Sequence, residues 1–141
     1  MKSQKNGTAQ KHETHSLPDA ELEVLACLWR KGSATAAEVR KMMKKYRPMA
    51  HGSTATLITR LQEKGLVARS KSYAGKAFIY TPTQTASKGY KSIISNLIDR
   101  IFGGKGIMLV TSILETNPPN REELQQLQKL LDELREKRKR T

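Results

Sequence analysis

The sequence predicts a mainly α protein with one small β-hairpin, and three observations carry that expectation. The first is Ser53 to Val67, where a 3.6-residue period turns Leu57, Ile58 and Leu61 inward and leaves Ser53, Thr56, Thr59, Arg60 and Lys64 outside. The second follows Gly65: an alternating run from Val67 to Lys71, a turn at Tyr73-Ala74-Gly75-Lys76, and a returning strand from Ala77 to Tyr80 closed by Pro82. The third is the segment beyond Pro82, which carries helical stripes of Ile and Leu. A helix faced with small hydroxyls and cations, followed at once by a basic hairpin, is the outline of a winged helix-turn-helix. A helical dimerisation domain is expected to follow it.

Taken in order, residues 1–16 are polar, rich in Lys, Gln and Thr, and read as a disordered basic tail. Residues 17–82 hold the winged-helix domain. Its first helix follows Leu17-Pro18, with Asp19, Glu21 and Glu23 at the positive end and Leu22, Leu25, Leu28 and Trp29 available for a core; Gly32 stops it. Thr35-Ala36-Ala37-Glu38 has capping-box spacing, so a second helix begins there and buries Val39, Met42 and Met43, with Tyr46 a further candidate. Pro48 and Gly52 bracket the turn into the third helix.

Residues 83–134 read as the dimerisation domain. Ser87 to Phe102 forms an amphipathic helix, Gly103-Gly104-Lys105-Gly106 breaks it, and Ile107 to Leu114 forms a short apolar one. After Asn117-Pro118-Pro119, Asn120-Arg121-Glu122-Glu123 caps a last helix bearing Leu124, Leu127, Leu130, Leu131 and Leu134. Helices this short cannot bury such stripes alone, because domains of about 50 residues are marginal. A second copy of the chain is the expected cover, through Tyr90, Ile94, Leu97, Ile98, Ile101, Leu124, Leu127 and Leu131. Residues 135–141 are a basic C-terminal tail.

The formal net charge of +13 is unevenly distributed. Arg30 to Tyr80 holds twelve Lys or Arg against Glu38 and Glu63, a net of +10, whereas Thr81 to Leu134 is neutral. A basic module joined to a neutral one points to nucleic acid as the module's partner. The longest apolar run, Gly106 to Leu114, is far below the roughly 20 residues needed to cross a bilayer. Residues 1–16 lack the apolar core of a signal peptide, and Cys27 alone forms no internal disulfide, so a cytoplasmic protein is expected.

The string Thr56-Leu57-Ile58-Thr59-Arg60-Leu61, with Lys64-Gly65 after it, resembles the recognition helix of the penicillinase-repressor family of BlaI/MecI type. The similarity extends through Glu21 to Leu25, Leu28-Trp29, Thr35 to Val39, the Gly75 to Tyr80 wing, Leu97 to Gly104 and the last helix. The resemblance implies a bacterial dimeric repressor with N-terminal winged helices and a dyad-symmetric operator. In the β-lactam-responsive members a membrane-linked sensor metalloprotease triggers cleavage between Asn and Phe in the helix after the wing. The matching bond here is Asn96-Leu97, with Leu in place of Phe. The copper-responsive branch carries a C-terminal cysteine cluster, and this chain has no cysteine after Cys27.

The expected interface places Thr56, Thr59 and Arg60 in the major groove, with Ser53, Thr54 and Lys64 flanking. Arg69, Lys71, Tyr73 and Lys76 lie on the wing near phosphate or the minor groove. Expected partners are double-stranded operator DNA, a second copy of the chain, and a membrane-linked sensor metalloprotease. Neither cofactor nor metal is expected. His12-Glu13-Thr14-His15 lacks the two-residue spacer of the metalloprotease pattern, and Cys27, between Val24 and Leu28, reads as a buried thiol. The rival reading is a sequence-indifferent basic protein of the nucleoid or ribosome. An enzyme has little support, with no glycine-rich phosphate loop and no Ser, His and Asp arrangement beyond chance.

Overall fold

The computed structural model describes residues 17–72, 75 and 77–140 of the chain. The expected N-terminal tail, with His12 and His15, lies outside the described residues. Helix α1, Asp19–Lys31, has Pro18 at its N-cap, acids in its first turn and Arg30 and Lys31 in its last, which suits the helix dipole at both ends. Gly32 ends it in a left-handed turn, φ 92°, where its N–H donates to Leu28 O. Helix α2, Ala36–Met43, carries the capping box expected at Thr35: the Glu38 N–H donates to Thr35 Oγ1 at 3.2 Å and the Thr35 N–H to Glu38 Oε1 at 2.9 Å. Helix α3, His51–Glu63, starts two residues before Ser53, so Gly52 sits inside its first turn rather than before it.

Strands β1, Val67–Lys71, and β2, Phe78–Pro82, form an antiparallel hairpin with Val67 opposite Pro82 and Lys71 opposite Phe78. Pro82 is the last residue of β2 instead of a stop beyond it, and Ala77 belongs to the connection. The hairpin is anchored at its base. Ala34, between α1 and α2, exchanges two backbone hydrogen bonds with Tyr80, and Val67 is the one buried residue of β1. The core gathers Val24, Leu25, Cys27, Leu28 and Trp29 of α1, Val39 and Met43 of α2, Ile58 and Leu61 of α3, and Leu66 and Val67 after it. Tyr46 is half exposed, not buried, and its hydroxyl accepts from Arg30 Nη2 at 2.9 Å.

Helix α4, Ala86–Arg100, buries only Gly89. That glycine faces the indole of Trp29, and a Cβ there would overlap Cζ2 and Cη2 and approach Cε2 to 2.8 Å. Beside it, Tyr90 packs edge-on to Trp29, ring centroids 5.2 Å apart at 81°. The first compact unit runs to Asn96.

The second unit begins at Leu97. Gly103 and Gly104 both take positive φ and break the chain before α5, Gly106–Thr116. Helix α6, Arg121–Lys139, is capped by Asn120, whose Oδ1 accepts from the Glu123 N–H at 2.9 Å. It runs on through Arg135 instead of ending at Leu134, because Lys137, Arg138 and Lys139 sit at the negative end of the helix dipole and favour its continuation. Neither α5 nor α6 buries a single residue: Ile107 is 72% exposed and Leu134 60%.

The substitution Gly89→Ala should cost about 1 to 3 kcal/mol through overpacking against Trp29. Gly52→Ala, in open space on an exposed helix, should instead gain roughly 0.5 to 1 kcal/mol. Urea titration of both variants reads the opposite shifts in midpoint.

Candidate nucleic-acid interface

Two faces of α3 do different work. Thr54, Ile58 and Leu61, spaced i, i+4 and i+7, are buried against the core, while Ser53, Thr56, Thr59 and Arg60 are exposed on the other side. Thr54 therefore leaves the expected contact set. It is 0% exposed, and its Oγ1 donates to Ala50 O at 3.2 Å. Thr56 is exposed and its Oγ1 donates to Gly52 O at 2.9 Å, which leaves the hydroxyl oxygen able to accept. Such a group accepts from an exocyclic amine or packs on a thymine methyl. Arg60 has no ion pair among the described residues, and its five donors are free for a bidentate partner.

Lys64, expected to flank the groove, already has a partner within the protein. It follows the last turn of α3, and its Nζ lies 2.6 Å from Oε1 of Glu21, whose side chain is 3% exposed. One of its ammonium donors thus serves a buried carboxylate, while the Lys64 side chain itself stays 39% exposed. Arg47, before α3, makes a bidentate pair with Glu23, with Nη2 3.1 Å from Oε2. That hydrogen-bonded guanidinium holds the Glu23 carboxyl below the usual carboxylate range and raises the Arg47 pKa in turn.

The hairpin presents Arg69 and Lys71 to solvent. Arg69 stacks on Phe78 of the facing strand, its Cζ 4.1 Å from the ring centroid, which fixes the guanidinium plane on an otherwise exposed ribbon. Tyr73 and Lys76 lie outside the described residues. Exposed Lys41, Lys44 and Lys45 at the end of α2 join the same basic module; the Lys44-Lys45 pair just before the turn was the sequence signal for them. No helix of the described residues is long and apolar enough to cross a membrane.

The penicillinase repressor family model matches residues 17–133. The penicillinase repressor of Bacillus licheniformis is 28% identical over 123 residues, covering 87% of this chain and 94% of that protein. The methicillin resistance regulatory protein MecI of Mammaliicoccus sciuri is 28% identical over 122 residues, covering 86% and 97%. Among solved structures, the apo form of wild-type MarR from E. coli superposes with a TM-score of 0.51 at 18% identity, covering 93% of this chain and 89% of that one. At that identity the likeness concerns the winged-helix fold alone.

Because the Glu23 pKa is depressed in the folded protein, its stabilisation is complete above the ordinary carboxylate value near about 4.3 and is lost as pH falls through the lower folded value. Urea midpoints followed from about pH 6 down to about pH 3 should fall less steeply for Glu23→Gln than for the native chain.

Proposed function

The chain belongs to the penicillinase repressor family and is a DNA-binding transcriptional repressor, not an enzyme; from that premise we propose that it acts as a homodimer on a dyad-symmetric operator near promoters. The observation that carries this reading is the division of α3 into a buried face and an exposed face of Ser53, Thr56, Thr59 and Arg60. Thr56, Thr59 and Arg60 enter the major groove, and Arg69 and Lys71 of the wing meet phosphate or the minor groove. Repression is steric, by occupancy of promoter DNA in the cytoplasm.

The homodimer draws support from the second unit. Ile107, Leu124, Leu131 and Leu134 are exposed on helices that bury nothing of their own, and Ile101 is exposed just past the end of α4; together they offer the kind of surface an isologous two-fold contact covers. Leu97, Ile98 and Leu127, half-buried already, and Ile94, exposed, belong to the same proposed contact. Tyr90 is committed in part to Trp29. Two recognition helices so paired would read half-sites one helical turn, about 34 Å, apart.

Relief of repression is proposed to follow cleavage of Asn96-Leu97 through a membrane-linked sensor metalloprotease. A cut at this bond divides the chain between its two compact units, separating the DNA-binding part from the helices assigned to pairing. Both residues lie half-buried within α4, so the helix must open locally before the bond can enter a protease cleft.

Genome-wide capture of the DNA bound in the cell tests the reading: a shared inverted repeat near promoters is expected, and broad binding without a motif would overturn it in favour of a sequence-indifferent basic protein. In mobility shifts with the recovered repeat, Arg60→Ala should cost about 1 to 3 kcal/mol and relax specificity at one operator position. Lys71→Ala should weaken binding to all duplexes and lower the salt slope by about 0.9. Leu131→Asp should convert the dimer to monomer in sedimentation and weaken operator binding with it.

A further inference from the structure

Helix α1 carries two acids, Glu21 and Glu23, that hold the cations on either side of α3. Arg47 stands in the turn leading into α3 and pairs with Glu23; Lys64 stands at its exit and pairs with Glu21. The exit continues into the wing, since Thr83 Oγ1 donates to Gly65 O at 2.7 Å and the Thr83 N–H to Leu66 O at 3.0 Å. On the entry side Arg40 Nε donates to Met49 O at 2.9 Å. The recognition helix is thus tethered to α1 at both ends, and its exit tether also reaches the base of β2. Glu21 is almost wholly buried, so Lys64 cannot leave it for a phosphate without stranding a carboxylate in the core. Two cations of the basic module are therefore engaged internally.

Resting on the reading of α3 as the recognition helix, we propose that Glu21 and Glu23 are positioning residues for operator recognition: through Lys64 and Arg47 they set the register of α3 and the wing, and so contribute to discrimination among DNA sequences without touching DNA. An acidic side chain gains nothing from the phosphate backbone itself. Its effect reaches the bases only through where it holds the helix, and a small displacement of α3 would spoil the fit of Arg60 to a base edge while leaving nonspecific phosphate attraction in place.

The test uses the full-length protein and two duplexes: one enriched by the native protein from a random-sequence pool, and one of scrambled order, each titrated by fluorescence anisotropy over a salt series. Lys64→Gln is expected to weaken binding to the enriched duplex roughly tenfold, the worth of one good base contact, and to leave the scrambled duplex and the salt slope unchanged. Glu21→Gln should have the same effect, and the double variant should be no worse than either single one. Equal losses on both duplexes with about 0.9 taken from the slope would make Lys64 a phosphate contact and overturn the proposal. A lowered melting temperature with an unchanged ratio between the duplexes would make the pair structural only, and would overturn it too. Should the buried-pair variants fail to fold, Glu23→Gln and Arg47→Gln at the half-exposed pair carry the same comparison, with the same outcomes deciding. A native protein without preference for the enriched duplex would remove the recognition-helix reading itself, an outcome separate from a native preference that the variants leave intact.

Discussion

Everything about the first unit depends on the burial of one side of α3 against α1 and α2. Thr54, Ile58 and Leu61 are removed from water together with Leu25, Leu28, Val39 and Met43, and each large side chain so buried contributes on the order of 1.5 to 3 kcal/mol. Because a helix has 3.6 residues per turn, fixing that stripe leaves the orientation of the opposite face no freedom. Thr56, Thr59 and Arg60 project outward as a consequence of what Ile58 and Leu61 do inward. The hairpin inherits its position from the same core through Leu66 and Val67, and through the Ala34 bridge to Tyr80.

The second unit obeys the opposite constraint. Its helices are well capped and locally consistent, with Asn120 opening α6 and a basic last turn closing it, yet they have no interior. Local propensity can define such helices without providing the burial that makes helices persist in proteins. Under the proposed homodimer the partner copy supplies the burial they lack, so that the oligomeric state and the stability of this half would be one question.

Much of this was readable in the residues because the signals were local. Thr35 with Glu38, Asn120 with Glu123, and the helix stop at Gly32 each act over a few residues, and the structure places them as anticipated. What escaped was non-local or a matter of phase. Thr54 lies next to Ser53 and looks equally polar, but it shares the inward row with Ile58 and Leu61. The pairing of Lys64 was hidden because its partner, Glu21, stands 43 residues earlier and nothing nearby announces the pair. The approach of α4 to Trp29 was hidden in the absence of a side chain, since Gly89 matters only for the ring that it admits. Arg135 to Lys139 resembled a tail by composition, though the same cations suit a helix C-terminus.

The detachment of the outer face of α3 from the core has an evolutionary consequence. Residues that carry no burden of stability can be exchanged at little cost, commonly within about 0.5 kcal/mol for exposed positions free of special contacts. Thr59 and Arg60 occupy such positions, whereas Ile58 and Leu61, their immediate neighbours in sequence, do not. If that face reads DNA as proposed, a lineage of such repressors could drift to new operators by changing every outward residue of one helix while its folding remained under unchanged selection. The inward row would act as a conserved frame, and the outward row as a rewritable address.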